Sequence, residues 1–487
     1  MSKFIAINIG PIIKTFSMTR KPREFWAASY MFSYLMECIL DQLNNNENLT
    51  LVSPFYQKGC CQNTGVGLFP DRIYYSVQRD VDIHHLTNEA IKVFSETTRI
   101  NLQVVKRYFN IMTTCGEYDS DSEAIKGLND TLNIMEFNQM ACLPEDQVTI
   151  QSFLNRTTNN APSPLFKIAL GERIFPIETL EEIALAGCDK AKFSYSNYVC
   201  IVQADGDNMG TIVQSDKMDG KRSLFSEHLM KFGKSACEQI RIFGGLPIYA
   251  GGDDLLFIAP VCGKENSGTI LDLIDKIDNL FVSKVNASVP VEIKEKDGKE
   301  IKPSISYGIS IIYHKYPLYE AWEIARNMLF SKAKWVSGKN AVAINLRKNS
   351  GSDFEMTMSK STEAYTKLKD LINTSLTETL VSSVAHKFRA NEALLDILPK
   401  DDEFKGLDER MTAFYEKVID TETKSENEST YLNLTKDMFE IIYKDSITEQ
   451  KKEHIEENGT DMHIIISQFY SMLRIAKFIK GEDSKDE

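Results

Sequence analysis

Cysteine is scarce in this 487-residue chain: nine residues at 38, 60, 61, 115, 142, 188, 200, 237 and 262, an odd number with no Cys-x-x-Cys. A disulfide scaffold is excluded and a zinc ribbon is unsupported. Scattered thiols suit a reducing cytosol, so a cytoplasmic protein is expected. Long apolar runs are missing too. None approaches the ~18 residues of a membrane span, and no membrane partner is expected. The opening MSKFIAINIGP reads as a short buried strand stopped at Gly10-Pro11, not as a signal peptide. Positive charge is in deficit, with 56 Lys and Arg against 69 Asp and Glu and a net charge of −13. A free-standing nucleic-acid binder would usually carry the opposite sign. Any nucleic acid this chain works on must therefore be gripped mainly by something else.

What is present is globular: 43% hydrophobic and 26% charged residues, which sets aside wholesale disorder and collagen-like repeats. At roughly 150 residues per domain the length suggests about three domains. Residues 3–9 read as a strand, and Pro22 to Leu43 as a helix with Phe25, Trp26, Tyr30, Phe32, Leu35 and Ile39 at helical intervals. A turn-rich stretch through Gly59, Gly65 and Gly67, a strand over Arg72 to Val77 and a helix over Leu86 to Tyr108 follow. That is the order of half or more of a ferredoxin-like unit. Residues 111–196 read as helical and irregular, broken by Pro144, Pro162, Pro164 and Pro176. From Tyr198 the order is β-α-β-β-α-β, then a last helix and strand ending at Ile344. Beyond 351 the Lys/Glu-rich sequence has helical periodicity. The expected fold class is α+β: ferredoxin-like domains at 1–110 and 197–350, a helical linker domain at 111–196 and a C-terminal helical domain at 351–487.

Chemistry concentrates in the third segment. The strand Tyr198 to Gln203 runs into Ala204-Asp205-Gly206-Asp207-Asn208-Met209-Gly210. Two apolar strands, Pro247 to Ala250 and Leu255 to Pro260, flank Gly251-Gly252-Asp253-Asp254, a hairpin signal. If first strand and hairpin neighbour each other in one sheet, Asp205, Asp253 and Asp254 converge at one edge. Crowded carboxylates raise one another's pKa unless a cation sits among them. Oxygen-only ligation suits Mg²⁺ or Mn²⁺. Two such ions about 3.5–4 Å apart can clamp the attacking and leaving oxygens of a phosphoryl transfer. Gly251 and Gly252 are expected to let a triphosphate approach the backbone, with Gly206 and Gly210 doing the same beside Asp205. Lys334, after the last helix, is expected to reach the β- and γ-phosphates. The plainer alternative is a solvated helix end.

These residues resemble a known family. The combination AxDGDNMG, GGDDLLF, SYGISI, AxNMLFSKAK and GKNAV looks like the catalytic palm shared by GGDEF-type diguanylate cyclases and the large subunit of type III CRISPR–Cas effector complexes. The opening INIGPIIKTFSMTRKPREFWAASYMFSYL is similar to the first palm of the type III-B (Cmr-type) large subunit, and LFPDRIYY at 68–75 resembles that domain's second landmark. The resemblance implies two palms facing each other. Asp205, Asp253 and Asp254 would be the catalytic residues and hold two metal ions. Gly206, Gly251, Gly252, Asp207 and Lys334 would lie around ATP, and Ser29 and Asp71 in an acceptor pocket. It implies an adenylyltransferase that makes a nucleotide second messenger in antiviral defence, switched on by target RNA. Its partners would be the other type III-B subunits, crRNA and target RNA. Lys14, Arg20, Lys21 and Arg23 could supply local RNA contacts; they could equally face ATP or form a solvated helix start.

Three departures sharpen the expectation. No His-Asp dipeptide occurs, so no HD nuclease domain and no DNase activity are expected; His84-His85 reads as structural. The family's cysteine-ligated zinc module is not evident. Cys60-Cys61, Cys115 and Cys142 could converge on a metal, but buried thiols are the expectation. The first-palm landmark, usually Pro-Asn-Arg, reads Pro70-Asp71-Arg72. An extra carboxylate beside an acceptor pocket disfavours a second ATP and favours a cationic acceptor. Some short family members join AMP to S-adenosylmethionine, and Asp71 is expected to mark this chain as one; the alternatives are pairing with Arg72 or capping a turn. The rivals are a cyclic oligoadenylate synthase, an inactive scaffold, a diguanylate cyclase and a template-directed polymerase. An intact Gly-Gly-Asp-Asp argues against the scaffold, Asp254-Leu255 in place of Glu-Phe against the diguanylate cyclase, and the acidic chain against the polymerase.

Overall fold

The computed structural model describes residues 1–487 except 61–62, 138–141, 156–163, 172–176, 178, 188–192, 291–292, 295–300, 375–377, 400–402, 420–425, 453–461 and 482–487. The first sheet comprises β1 (Ser2–Gly10), β2 (Leu49–Ser53), β3 (Arg72–Val77) and β4 (Asn110–Tyr118), antiparallel throughout in the order β2-β3-β1-β4. Helices α1 (Ile12–Ser17) and α2 (Pro22–Asn44) join β1 to β2. Helices α3 (Ile83–Thr98) and α4 (Leu102–Tyr108) join β3 to β4, and α5 (Asp121–Glu136) follows. Three helices, α6 (Pro144–Asn155), α7 (Pro164–Leu170) and α8 (Leu180–Ala184), lead to the second sheet.

That sheet contains β5 (Tyr198–Gly206), β6 (Leu246–Gly251), β7 (Asp254–Pro260), β8 (Ile305–Tyr313), β9 (Ala341–Arg347) and β10 (Asp353–Ser359), in the order β10-β9-β8-β5-β7-β6. Its helices are α9 (Met209–Val213), α10 (Arg222–Phe243), α11 (Ile270–Val285) and α12 (Leu318–Ser331). The core strands β5 to β8 repeat the fourth-first-third-second arrangement of the first sheet, so both units are ferredoxin-like palms. Helix α13 (Glu363–Asn373) opens the C-terminal helical region, which includes Leu407–Phe414, Glu426–Lys452 and Met462–Lys480.

The apolar patterns explain these positions. Val199 to Val202 are all buried in β5, a central strand covered on both faces, hence the continuous apolar run. Helix α2 is buried almost all the way round because it lies between the two palms. Gly308, inside β8, lets α12 sit directly on the sheet: a Cβ there would lie 2.2 Å from the Ala325 carbonyl oxygen and 2.3 Å from the Leu329 nitrogen.

The palms meet along the β6 edge. Ala250 N donates to the Gly67 carbonyl at 2.9 Å, so Gly67 bridges Tyr249 in parallel. Phe55 N donates to Ser226 Oγ (2.7 Å), and Phe16 and Phe25 pack on Trp322 with ring centroids 5.0 and 5.7 Å apart.

Several expectations are corrected. The stretch from 111 is not helical at its start: β4 pairs with β1 along Ser2–Gly10 and completes the first palm sheet. The turn-rich segment after residue 46 contains β2, and the 351–487 region opens with β10, an edge strand of the second sheet. The helix expected over 86–108 is two, parted at Arg99 with φ +59°. Pro144 and Pro164 begin helices, where the missing N–H costs nothing. Cys61, Cys188, Pro162 and Pro176 lie outside the described residues.

Candidate functional site

β5 ends in Asp205-Gly206, and its register sets Ala204 opposite Leu255 of β7 and Asp205 opposite Ser306 of β8. The two-residue turn Gly252-Asp253 between β6 and β7 therefore lands beside the end of β5. Gly252 has φ +69°, as the first position of a primed hairpin turn requires. Gly206 is sterically required: a Cβ there would lie 2.7 Å from both Cβ and Oδ2 of Asp253 and 2.6 Å from Met209 Cγ. Asp205, Asp253 and Asp254 stand near enough to perturb one another's charge. Burial, then the charge of Asp205, pushes Asp253 up to about 7. Burial followed by Asp205 and Asp253 holds Asp254 well above the ordinary carboxylate range.

Lys334 is not free to reach a phosphate in this arrangement. Its ammonium lies 2.6 Å from Asp205 Oδ2 and 2.9 Å from Asp207 Oδ1, and donates to the Asp205 and Gly206 carbonyls at 2.8 Å. Burial works against its charge, but the two aspartates outweigh it and raise its pKa. Asp207, expected beside a nucleotide, turns inward instead and is 1% exposed. It accepts from Ser304 Oγ (2.7 Å), Ser306 Oγ (2.9 Å) and Asn340 N (2.9 Å). Gly251 accommodates the Tyr249 ring, and Gly210 has neither a positive φ nor a close neighbour.

Sequence reasoning missed this supporting shell. Ser304 and Ser306 stand two apart, hence on one face at the start of β8. Gly338, Lys339 and Asn340 all adopt positive φ (77°, 54° and 47°), which aims the Asn340 N–H at Asp207. Lys360, after β10, pairs with Asp278, and its N–H donates to the Asn340 carbonyl. The C-terminal region thereby braces the same loop.

The donor set fits a divalent cation chemically: three mutually repelling carboxylates at one sheet edge. The side-chain directions are those of a lysine-paired state. Among the described residues no three His, Cys, Asp or Glu side chains converge on one point. Asp205 would have to exchange its Lys334 partner for an ion.

Beside the carboxylates a cavity of ≈ 170 Å³ opens between the palms. Asp71, Ser29 and Phe16 line it from the first palm, and Asp254, Tyr249 and Trp322 from the second. Among the described residues the buried Ser29 Oγ has no hydrogen-bond partner. Arg72 does not pair with Asp71; it turns away to Glu136 at 2.5 Å and to Asn129. Burial, reinforced by Glu136, raises the Asp71 pKa despite Arg72, and the Asp71 charge is felt at Asp254. Asp71 and Ser29 thus occupy one cavity with Asp254. Cys115 is exposed on β4, Cys142 is buried and Cys60 half-buried. His84 and His85 open α3, where Asp82 caps the His85 N–H at 2.9 Å.

Two palms facing each other across a shared cavity, with one carrying carboxylates on a Gly-Gly-Asp-Asp turn, define a two-palm protein. Two family models match: the second palm domain of Cas10/Cmr2 over residues 198–343 and the N-terminal domain of CRISPR-associated protein Cmr2 over residues 4–99. Both palms of the chain thus match domains of the Cas10/Cmr2 family. It is 31% identical over 183 residues to the Cmr subunit Cmr2 of Pyrococcus furiosus, covering 32% of this chain and 19% of that relative's length. Among solved structures, the apo type III-B Cmr-beta complex contains a chain with TM-score 0.52 and 10% identity, covering 88% of this chain and 78% of that one. A Csm1–Csm4 cassette in complex with pppApA gives TM-score 0.54 and 13% identity over 97% and 69%. Among the described residues no helix is long and apolar enough to cross a membrane.

Proposed function

We propose that this chain is the adenylyltransferase subunit of a cytoplasmic, RNA-guided type III-B complex, activated by target RNA and assembled with crRNA and other effector subunits. The single observation that carries the reading is the crowding of Asp205, Asp253 and Asp254 beside a cavity to which both palms contribute. ATP would lie over the Gly252-Asp253 turn, with its α-phosphate toward the cavity. The acceptor's ribose 3′-hydroxyl attacks that phosphorus: a new O–P bond forms, pyrophosphate leaves, and the hydroxyl proton must be taken up. The Asp254 carboxyl lines the acceptor cavity, and the hydroxyl proton passes to solvent as the oxygen attacks. Asp205, Asp253 and Asp254 would hold Mg²⁺ or Mn²⁺, which when bound supplies charge neutralisation at the phosphates. Lys334 would give up Asp205 to the ion, while Asp207 keeps the ammonium in place.

The favoured acceptor is S-adenosylmethionine, giving a conjugate with AMP. The cavity's two acids, Asp71 and Asp254, suit a sulfonium and an ammonium, and no described residue forms an ion pair with Asp71. Trp322 and Phe16 offer aromatic faces that a cation also favours. The alternative is a cyclic oligoadenylate, since Csm1–Csm4 cassettes of the same fold have been solved with pppApA and with cA4. An inactive scaffold is disfavoured by the intact turn. The test is a mass spectrum of the products of the activated complex given ATP with and without S-adenosylmethionine. A conjugate formed only with the sulfonium compound, and weakened by Asp71→Asn more than ATP use is, supports the reading. Cyclic oligoadenylate as the sole product contradicts the acceptor assignment.

A further inference from the structure

The Lys334 ammonium sits among four oxygens: Asp205 Oδ2 at 2.6 Å, Asp207 Oδ1 at 2.9 Å, and the Asp205 and Gly206 carbonyls at 2.8 Å each. An ammonium has three N–H bonds, so these oxygens outnumber the donors that could serve them one to one. A cage of carboxylates and backbone carbonyls is the surrounding that a small hard cation takes. The cage is also shielded from water: the Lys334 side chain is 14% exposed and that of Asp207 1%. Asp205 is the one carboxylate that this cage shares with the trio proposed to hold the divalent ion. Among the described residues neither Asp253 nor Asp254 forms an ion pair. The ammonium is therefore the nearest positive charge the trio has, and its charge is felt at Asp253.

The neighbours of Lys334 fix its backbone and leave its stem free to turn. Ala333 is fully buried in one cluster with Ala341 and Ala343, and the Trp335 indole donates to the Phe330 carbonyl at 3.0 Å. A lysine carries its charge on a flexible four-carbon stem, so releasing Asp205 takes a side-chain rotation and no movement of the loop. Asp207 remains as the anchor, because Ser304, Ser306 and Asn340 hold it from behind. Granting Asp205, Asp253 and Asp254 as the divalent-ion site of the proposed function, we propose that Lys334 is a resident competitor of that ion: its ammonium neutralises Asp205 in the metal-free chain, and the ion binds only by taking Asp205 from it. The exchange breaks no covalent bond and moves no proton; the ammonium stays charged on Asp207. Apparent ion affinity is then the intrinsic affinity reduced by the fraction of chains in which Asp205 is free. A lysine that merely braced the loop would leave ion binding unchanged, and one that served only a phosphate would matter only once nucleotide is present.

The experiment measures Mn²⁺ binding to the full chain without nucleotide, by electron paramagnetic resonance of the free ion. Only ions lost in the Asp253→Ala, Asp254→Ala double variant are counted, which sets aside ions scattered over an acidic surface. Lys334→Met should tighten their binding ~10-fold or more, a size typical of coupled sites. Lys339→Met removes the same charge from the same loop, but its ammonium donates to the Asn208 side-chain oxygen at 2.8 Å and not to a carboxylate. It should therefore shift binding by less than ~3-fold, the effect of a screened charge. Lys334→Met leaves Asp207 buried without its cation. If that variant does not fold, Lys334→Met combined with Asp207→Asn removes the pair together and should show the same tightening. Equal Mn²⁺ affinity in the wild type and the folded Lys334 variant, or equal tightening by Lys339→Met, overturns the competitor and leaves the ion site standing. If neither the wild type nor the Lys334 variant holds an ion that the double variant loses, the ion site itself falls, and the competitor with it.

Discussion

Replacing Asp253 with Asn should make the metal-free protein more stable while destroying the function proposed for it. In the folded chain the carboxyl is pushed from its ordinary 3.8 up to about 7, first by burial and then by Asp205. The folded state therefore binds more protons than the unfolded state between those values. The group costs nothing below about pH 4, and the protein loses stability as pH rises toward 7. At about 1.36 kcal/mol per pH unit the ceiling is ~4 kcal/mol. Partial exposure of the side chain screens roughly half, leaving ~2 kcal/mol. An amide of the same shape removes the repulsion and keeps one acceptor for the backbone. Urea unfolding at pH 7.5 in chelator should show Asp253→Asn more stable by ~2 kcal/mol, with the difference vanishing toward pH 4. Mg²⁺ or Mn²⁺ should stabilise the wild type by mass action and leave the variant unmoved. A variant no more stable than wild type in chelator, or one stabilised equally by metal, refutes the reasoning.

Two further substitutions probe the support of the site. Asp207→Asn leaves the Lys334 ammonium short of a buried partner and puts an amide where Ser304, Ser306 and Asn340 all donate. Breaking a buried pair in this way should cost ~3 kcal/mol in urea unfolding, and a change below ~0.5 kcal/mol would show that the cage is not tight. Gly206→Ala forces a methyl to within 2.7 Å of Asp253 Cβ. It should cost about 1–3 kcal/mol and abolish pyrophosphate release, whereas Gly210→Ala, in open space, should leave both unchanged.

Much of the second palm was readable because its signals are local. β5, β6 and β7 are apolar runs bounded by glycine and aspartate turns, and a two-residue hairpin fixes where Asp253 must lie relative to Asp205. β4 was missed because its sequence, Asn110 to Tyr118, is Thr-rich and half-exposed at a sheet edge, so it offers neither a clean alternation nor an apolar run. The direction of Lys334 was also out of reach. Whether that ammonium faces a phosphate or a carboxylate depends on a cage assembled from residues 205, 206 and 207, and Asp207 is itself held by Ser304, Ser306 and Asn340, about a hundred residues or more away. Asp71 shows the opposite case. Its place in the sequence suggested an acceptor-pocket acid, and the fold sets it in the cavity with Asp254 because Ser33 Oγ accepts from the Leu68 and Phe69 N–H groups and anchors the preceding segment.

The most direct measurement is pyrophosphate release from ATP by the RNA-activated complex, comparing the wild type with the Asp253→Ala, Asp254→Ala double variant. The account predicts release that needs a divalent cation and disappears in the double variant while the complex still assembles on RNA. Undiminished release from that variant, or none from the wild type under any divalent ion, would contradict it.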